Sequence, residues 1–509
     1  MARIGAAQSL ICAVMCLWVA MVVPVGASSA RPRTPAEIEL RKAAVAERLA
    51  VIEVELGAIE TRLEGLPAHP AEADTDPDLS RQRQDLEARH GALADEKATL
   101  LREQTALELT RTRNATGPLQ PSDPQGLSPL DLTSQSGQVS SGQAFNPAIS
   151  VIPDIAYYYD DAGGDAADAG LERGFNLREM EVAFSGAVDP YFDVWATLAV
   201  GTDSIEAEEV YVQTRKLLPG LQLRVGKFLS GVGYVNKQHP HQWDFADQAL
   251  PYEALLGGNL AETGLQVTWL PALPFYAQLG FEALQGDNER ISQQVSDEHP
   301  DLFEAVPGPR LFTGFLKIAP DVGYSHAVQG GVSFGQSRSH QEAIVHEDGL
   351  LDEGLDGTSW FMGTDWVWRY DSARPFGRGD LTVQGEYLYR RKNLERVVIN
   401  SVVIADGSRR VFAQDGLYLQ AVYGIAQRWT VGGRMDVIGL TNRVEGPGDT
   451  IEYNSSRRYS AALTFNPTEF SRVRVQYAAG DPRTIEPARF NQVFVQFQMS
   501  LGVHGAHRF

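Results

Sequence analysis

The chain is poor in cysteine. Of its 509 residues only Cys12 and Cys16 are cysteines, and both fall in an apolar leader. The remainder can form neither a disulfide framework nor a thiolate metal site. Long hydrophobic runs are equally scarce. Past residue 25 no stretch approaches the roughly 18 consecutive apolar residues that a membrane helix needs. Positive charge is in deficit, with 44 Lys and Arg against 65 Asp and Glu and a formal net charge of −21. Such a chain repels phosphate backbones, which argues against a nucleic-acid partner. Catalytic signatures are missing as well. No serine lies in a nucleophile elbow, and glycine clusters such as "GGNLAETG" (257–264) do not join a strand to a helix as a phosphate loop must. The expectation is a protein that is not an enzyme and has no obligatory cofactor.

What is present begins with an export signal. Arg3 precedes "LICAVMCLWVAMVVPV" (10–25), and "VGA" then offers small residues for cleavage, so residues 1–27 read as a signal peptide. Residues 28–113 read as a periplasmic helical, coiled-coil segment. Ile38, Val45, Leu49, Ile52, Leu56, Ile59, Leu63 and Leu66 form a heptad seam. The prolines of "PAHPAEADTDPD" (67–78) end it. A second run carries Leu79, Leu86, Leu93, Leu100 and Leu107 every seven residues, but its other seam position is polar. The two runs can fold back as an antiparallel hairpin, or the first can self-associate between chains. Its continuous seam favours self-association. Residues 114–144, rich in Pro, Gly, Ser and Gln, read as a flexible linker.

From residue 145 to 509 two-residue alternation replaces helical periodicity. Sixteen strands are expected: 148–159, 175–188, 191–202, 205–215, 220–228, 262–270, 274–285, 309–319, 325–335, 358–371, 378–391, 414–425, 427–437, 457–466, 470–480 and 490–503. In the last, Val493, Val495, Phe497 and Met499 share one parity, opposite Gln492, Gln496 and Gln498. Successive strand side chains point to opposite faces, so one face is apolar and the other polar. Connections after even-numbered strands are short ("VDPY", "LLPG", "NPTEF"), whereas those after odd-numbered strands are mostly long, including 229–261, 286–308, 336–357, 392–413 and 438–456. Sorting of connections by parity is the mark of an outer-membrane barrel. The fold class read here is an all-β transmembrane antiparallel barrel of about 16 strands with an N-terminal helical segment. Its polar parity predicts a charged lumen that includes Glu179, Glu181, Arg224, Glu282, Glu386, Arg434, Asp436 and Arg474.

The leader, heptad prefix, Pro/Ser linker, strand count and closing aromatic together resemble the porin O and P family of bacterial outer membranes. "LQLRVGKFLSGVGYVN" (221–236) is similar to that family's strand entering a long third loop. "FNLREMEVAFSGAVDPYFDVWATLAVG" (175–201) and "HPHQWDFAD" (239–247) are closer still to proteins labelled zinc-regulated outer-membrane receptors. The resemblance implies a passive channel, assembled as a homo-oligomer (a trimer), in contact with outer-membrane lipid and lipopolysaccharide. It also implies that Phe509 is read by the barrel-assembly machinery. The chain departs from both labels. A phosphate channel needs a basic lumen, yet the loops here carry Asp160, Asp161, Asp165 and Asp168, then Asp287, Glu289, Asp297, Glu298, Asp301 and Glu304, then Glu347, Asp348, Asp352, Glu353 and Asp356. Acid at the mouth concentrates cations, and the same groups suit calcium bridging surface lipopolysaccharide. An energised receptor needs about 22 strands and a globular plug, and the sequence offers neither. For metal, His239 and His241 with Asp244 and Asp247 form the best zinc-ligand set. The alternative is that these side chains hold the third loop where it folds inward.

Overall fold

A computed structural model of the chain describes residues 35–64, scattered positions within 86–104, and 147–502 less 162–170, 216, 346–350, 405–406 and 482–489. The expected leader, the linker 114–144 and Phe509 lie outside the described residues. Sixteen long strands form one sheet: β1 (Ala148–Asp160), β2 (Gly174–Ala187), β3 (Phe192–Val200), β4 (Ile205–Thr214), β5 (Leu221–Leu229), β6 (Ala261–Trp269), β7 (Tyr276–Leu284), β8 (Leu311–Ala319), β9 (His326–Val345), β10 (Leu351–Tyr370), β11 (Leu381–Ile399), β12 (Arg409–Ala426), β13 (Trp429–Glu445), β14 (Ser456–Thr468), β15 (Ser471–Asp481) and β16 (Phe490–Met499). Each pairs antiparallel with its sequence neighbour, and β16 returns to β1 in the register Asp154↔Gln498 through Asp160↔Gln492. The sheet is a closed barrel without a free edge, so neighbouring strands supply one another's backbone hydrogen-bond partners within the wall.

Burial is inverted relative to a water-soluble fold. Outward positions are apolar and exposed, among them Val225, Phe281, Phe334, Val431, Val475 and Met499. Inward positions are polar and buried, among them Asp154, Gln266, Lys317, Arg474, Gln476 and Gln496. On β15 the alternation is complete: Val475 and Tyr477 face out, while Arg474 and Gln476 face in. Of the aromatics near strand ends, Tyr157, Tyr191, Trp269, Phe275, Tyr370 and Trp429 are exposed, as an interfacial girdle needs. Tyr158 instead points inward and packs on Phe494.

Two expectations change. The stretches 336–357, 392–413 and 438–456, read as loops, are largely strand. β9 to β13 run for 20, 20, 19, 18 and 17 residues, where spanning takes about 9–11. Their surplus stands beyond the apolar band as paired hairpins. The second change concerns the prefix. In α1 (Pro35–Glu64), Val45, Ile52 and Ile59 are buried against Leu86, Leu93 and Leu100 of the second run of the same chain. Arg48 pairs with Glu96 at 2.8 Å and Lys97 with Glu53 at 2.9 Å. Val45 packs against Leu100 whereas Glu55 pairs with Arg89 at 3.9 Å, so contacts run in opposite sequence order and the two runs pack antiparallel. Among the described residues Leu86, Leu93 and Leu100 cover the middle of the first seam, which the expectation of self-association between chains had left for another copy.

Candidate functional site

The connection between β5 and β6, residues 230–260, turns into the barrel and crosses it. Gly231 and Gly233 make the entry possible. A Cβ at 231 would lie 2.1 Å from the Phe315 ring, and one at 233, where φ is +62°, would lie 2.0 Å from the Tyr252 hydroxyl. Beyond them the segment makes short turns at Val235–Lys237 and Pro240–Gln242. It then forms α2 (Leu250–Leu256), opened by Pro251 in its first turn and closed by Gly257 in the left-handed region. Val232, Tyr234, Val235, Ala249, Tyr252, Leu255 and Leu256 make an apolar core with Phe361 and Leu388 of the wall.

Polar lumen residues hold this segment at both ends. Glu282 accepts the Gly231 backbone N–H at 2.8 Å together with the Ser230 hydroxyl. Glu386 accepts the N–H groups of Tyr234 and Val235, each at 2.9 Å, and the hydroxyls of Tyr252 and Tyr418 at 2.6 and 2.7 Å. Lys317 donates to the Gly233 carbonyl at 2.6 Å and pairs with Asp365. On the far wall, Asp247 sits between Arg434 and Arg458 at 2.7 and 2.8 Å, and Arg434 pairs with Asp436 at 3.0 Å. Arg474 donates to the Trp243 carbonyl at 2.6 Å, and Gln420 donates to Asp244 at 2.9 Å.

A third contact meets β2 and β4. Between β3 and β4 the register slips, with Thr197 opposite Glu209 but Leu198 opposite Ala207. This bulge turns Glu208 to the same side as its neighbour Glu209. His239 Nδ1 lies 3.1 Å from Glu208 and 3.8 Å from Glu181, and its Nε2 lies 3.0 Å from Glu209. His241 Nδ1 lies 2.7 Å from Glu181, and the two imidazoles are parallel with centroids 6.0 Å apart.

The residues singled out from sequence are thus regrouped. Glu181, Glu282, Glu386, Arg434, Asp436 and Arg474 do face the lumen, but they hold the segment rather than line a bare pore. Arg224 stays on the wall, bonded to Gln213 and stacked over Tyr211, and Glu179 is half-buried on β2. His239 and His241 come together, but Asp244 and Asp247 do not join them, being taken by Gln420 and by Arg434 and Arg458. No separate plug was expected. The lumen is nonetheless occupied, by a loop of the barrel itself. Glu208, Glu209, Lys317, Asp365 and Arg458 escaped the sequence reading, although inward parity on their strands signals all but Glu208.

At the long-connection rim, Asp287, Glu289, Asp297, Glu298, Asp301 and Glu304 are exposed. Asp287 is paired with Arg310. The Asn491 side chain and backbone N–H hold the Asp161 carboxyl below the ordinary carboxylate range.

No family model matches the chain. A protein of Aquifex aeolicus (strain VF5), described as an uncharacterized protein, is 35% identical over 394 residues, covering 72% of this chain and 81% of that one. Among solved structures the chain is similar to OmpT of Vibrio cholerae with loop L8 deleted, an outer membrane protein, at 11% identity and a TM-score of 0.45 over 70% of this chain and 99% of that one. It is similar also to OprB of Pseudomonas putida (10%, 0.44, 71% and 95%). The outer membrane channel DcaP of Acinetobacter baumannii gives 14% identity and 0.42 over 70% and 96%.

Proposed function

The chain belongs to the same family as the Aquifex aeolicus protein, and we propose that it is an outer-membrane, porin-like channel for passive diffusion of small hydrophilic solutes, biased toward cations. One observation carries the reading: a closed 16-strand wall, apolar outside and charged inside, with its third long connection drawn into the lumen as a constriction. Apolar outward faces need lipid, and a polar interior can solvate a permeant ion. The exposed acids of 285–310 supply the cation bias. Short connections mark the periplasmic rim. Both barrel ends lie there, so the helical segment of 28–113 does too, after removal of residues 1–27. Phe509 then serves the assembly machinery, and the barrels associate as trimers in contact with lipopolysaccharide.

The test is single-channel recording of the purified full chain in planar bilayers under a salt gradient. Unitary currents with a cation-selective reversal potential are expected. A barrel that is heat-resistant but shows no unitary current would favour a second reading, a closed barrel whose helical hairpin is an envelope tether. The breadth of the contacts made by 230–260 supports that reading.

A further inference from the structure

We propose that His239, Glu208 and Glu181 form a site for a divalent transition-metal cation, oriented by Glu209 and His241. It lies where the inward segment meets β2 and β4, and it does not depend on whether the barrel conducts.

Three observations lead there. First, the donor atoms already stand at ligand spacing. Bonds of about 2.0–2.1 Å in a tetrahedral zinc site put ligand atoms roughly 3.3 Å apart. The His239 Nδ1 distances to Glu208 and Glu181 are 3.1 and 3.8 Å, and among the described residues these three groups bring their ligand atoms within 4.8 Å of one another. Second, the imidazole is oriented for binding. A neutral imidazole has one N–H and one lone pair. Nε2 faces Glu209 at 3.0 Å, and the Leu229 N–H fixes Glu209 in turn at 2.9 Å. With Nε2–H held on Glu209, Nδ1 is left facing the Glu208 and Glu181 carboxylates, where a cation can take the place that a second ring proton would otherwise occupy. A carboxylate behind the distal nitrogen is also how metal-binding histidines are commonly oriented. Third, the site is built. Glu181, Glu209 and His239 are buried, a bulge is needed to bring Glu208 in, and the 2.7 Å contact of His241 with Glu181 aims that carboxylate.

One imidazole with carboxylates suits Zn²⁺, Co²⁺ or Mn²⁺, whereas Ca²⁺ and Mg²⁺ take oxygen donors. The donor set is not the one the sequence suggested, since the two nearby aspartates are replaced by glutamates from the wall.

The experiment uses the full chain in detergent, freed of metal by a chelator and titrated with Zn²⁺ calorimetrically and with Co²⁺ by visible absorption. Tight binding of a single ion and a Co²⁺ spectrum of low-coordinate character are expected. His239→Ala, Glu208→Gln and Glu181→Gln should each weaken binding at least ~100-fold and abolish the spectrum, while Glu209→Gln should weaken it about 10–100-fold, the range for groups behind a ligand. Asp244→Asn should leave both unchanged. Heat-modifiable gel mobility checks that each variant is folded. Binding that survives Glu208→Gln, or that calcium and salt remove, overturns the site, since it would then be diffuse attraction to the acidic rim. So does absence of binding in the native chain, which leaves the channel reading intact. Conversely, zinc binding by a barrel without unitary current defeats the channel and keeps the site.

Discussion

Glu386 accepts four hydrogen bonds, three of them from the inward segment. A buried donor left without an acceptor costs about 1–3 kcal/mol, so Glu386→Ala should release the turn at 234–235 while the wall stays closed. Larger unitary conductance and new protease cleavage within 230–260 are expected, with unchanged heat resistance. Gly233→Ala should give the same phenotype by another route, because its Cβ meets the Tyr252 hydroxyl at 2.0 Å on backbone at φ +62°. Conductance equal to that of the native chain in both variants would deny the segment any part in setting the pore. That Glu386 faces inward is legible from its opposition to Val383 and Tyr387. Its role is not, because its partners lie some 150 positions away and no local pattern marks them. Glu208 is hidden for a different reason. Alternation assigns it outward, and only a register slip that leaves no trace in composition brings it in.

At the scale of elements, strands are the legible part. The side chains of β15 and β16 alternate because lipid and lumen impose opposite solvents on opposite faces, and that constraint is written directly into sequence. It lapses beyond the bilayer. There β11 continues to Ile399, and over 392–399 Lys392, Glu395 and Arg396 break the strict apolar–polar alternation, so that stretch resembles a loop. The inward segment is illegible for a third reason: Asp244 and Asp247 stand near His239 in sequence, yet the chain crosses the lumen between them. The helical hairpin, by contrast, buries its own seam. Deleting residues 31–113 should therefore leave a barrel with native heat-modifiable mobility. Loss of the folded band in that deletion would show that the prefix is part of the barrel's stability.

For the whole molecule, the proposed cation bias rests on charge. Changing Asp297, Glu298, Asp301 and Glu304 together to their amides should move the reversal potential toward that of an unselective pore. The proposed bias should itself shrink between 0.1 and 1 M salt, as the screening length falls from about 10 to about 3 Å. A bias unaffected by both changes would place selectivity deeper, at the lumen charges around 230–260.

Closure of the wall also orders events in time. β1 has no partner on one side until β16 has been synthesised, and Gln496 bonds Asp154 across 342 positions of chain. The inward segment emerges early, whereas Arg458 and Arg474, which grip its far half, emerge late. Joining such distant stretches carries a loop-closure cost that only the finished wall repays. Seating of residues 230–260 is therefore a late step of biogenesis. The chain must keep this apolar stretch out of trouble while the barrel around it is still open.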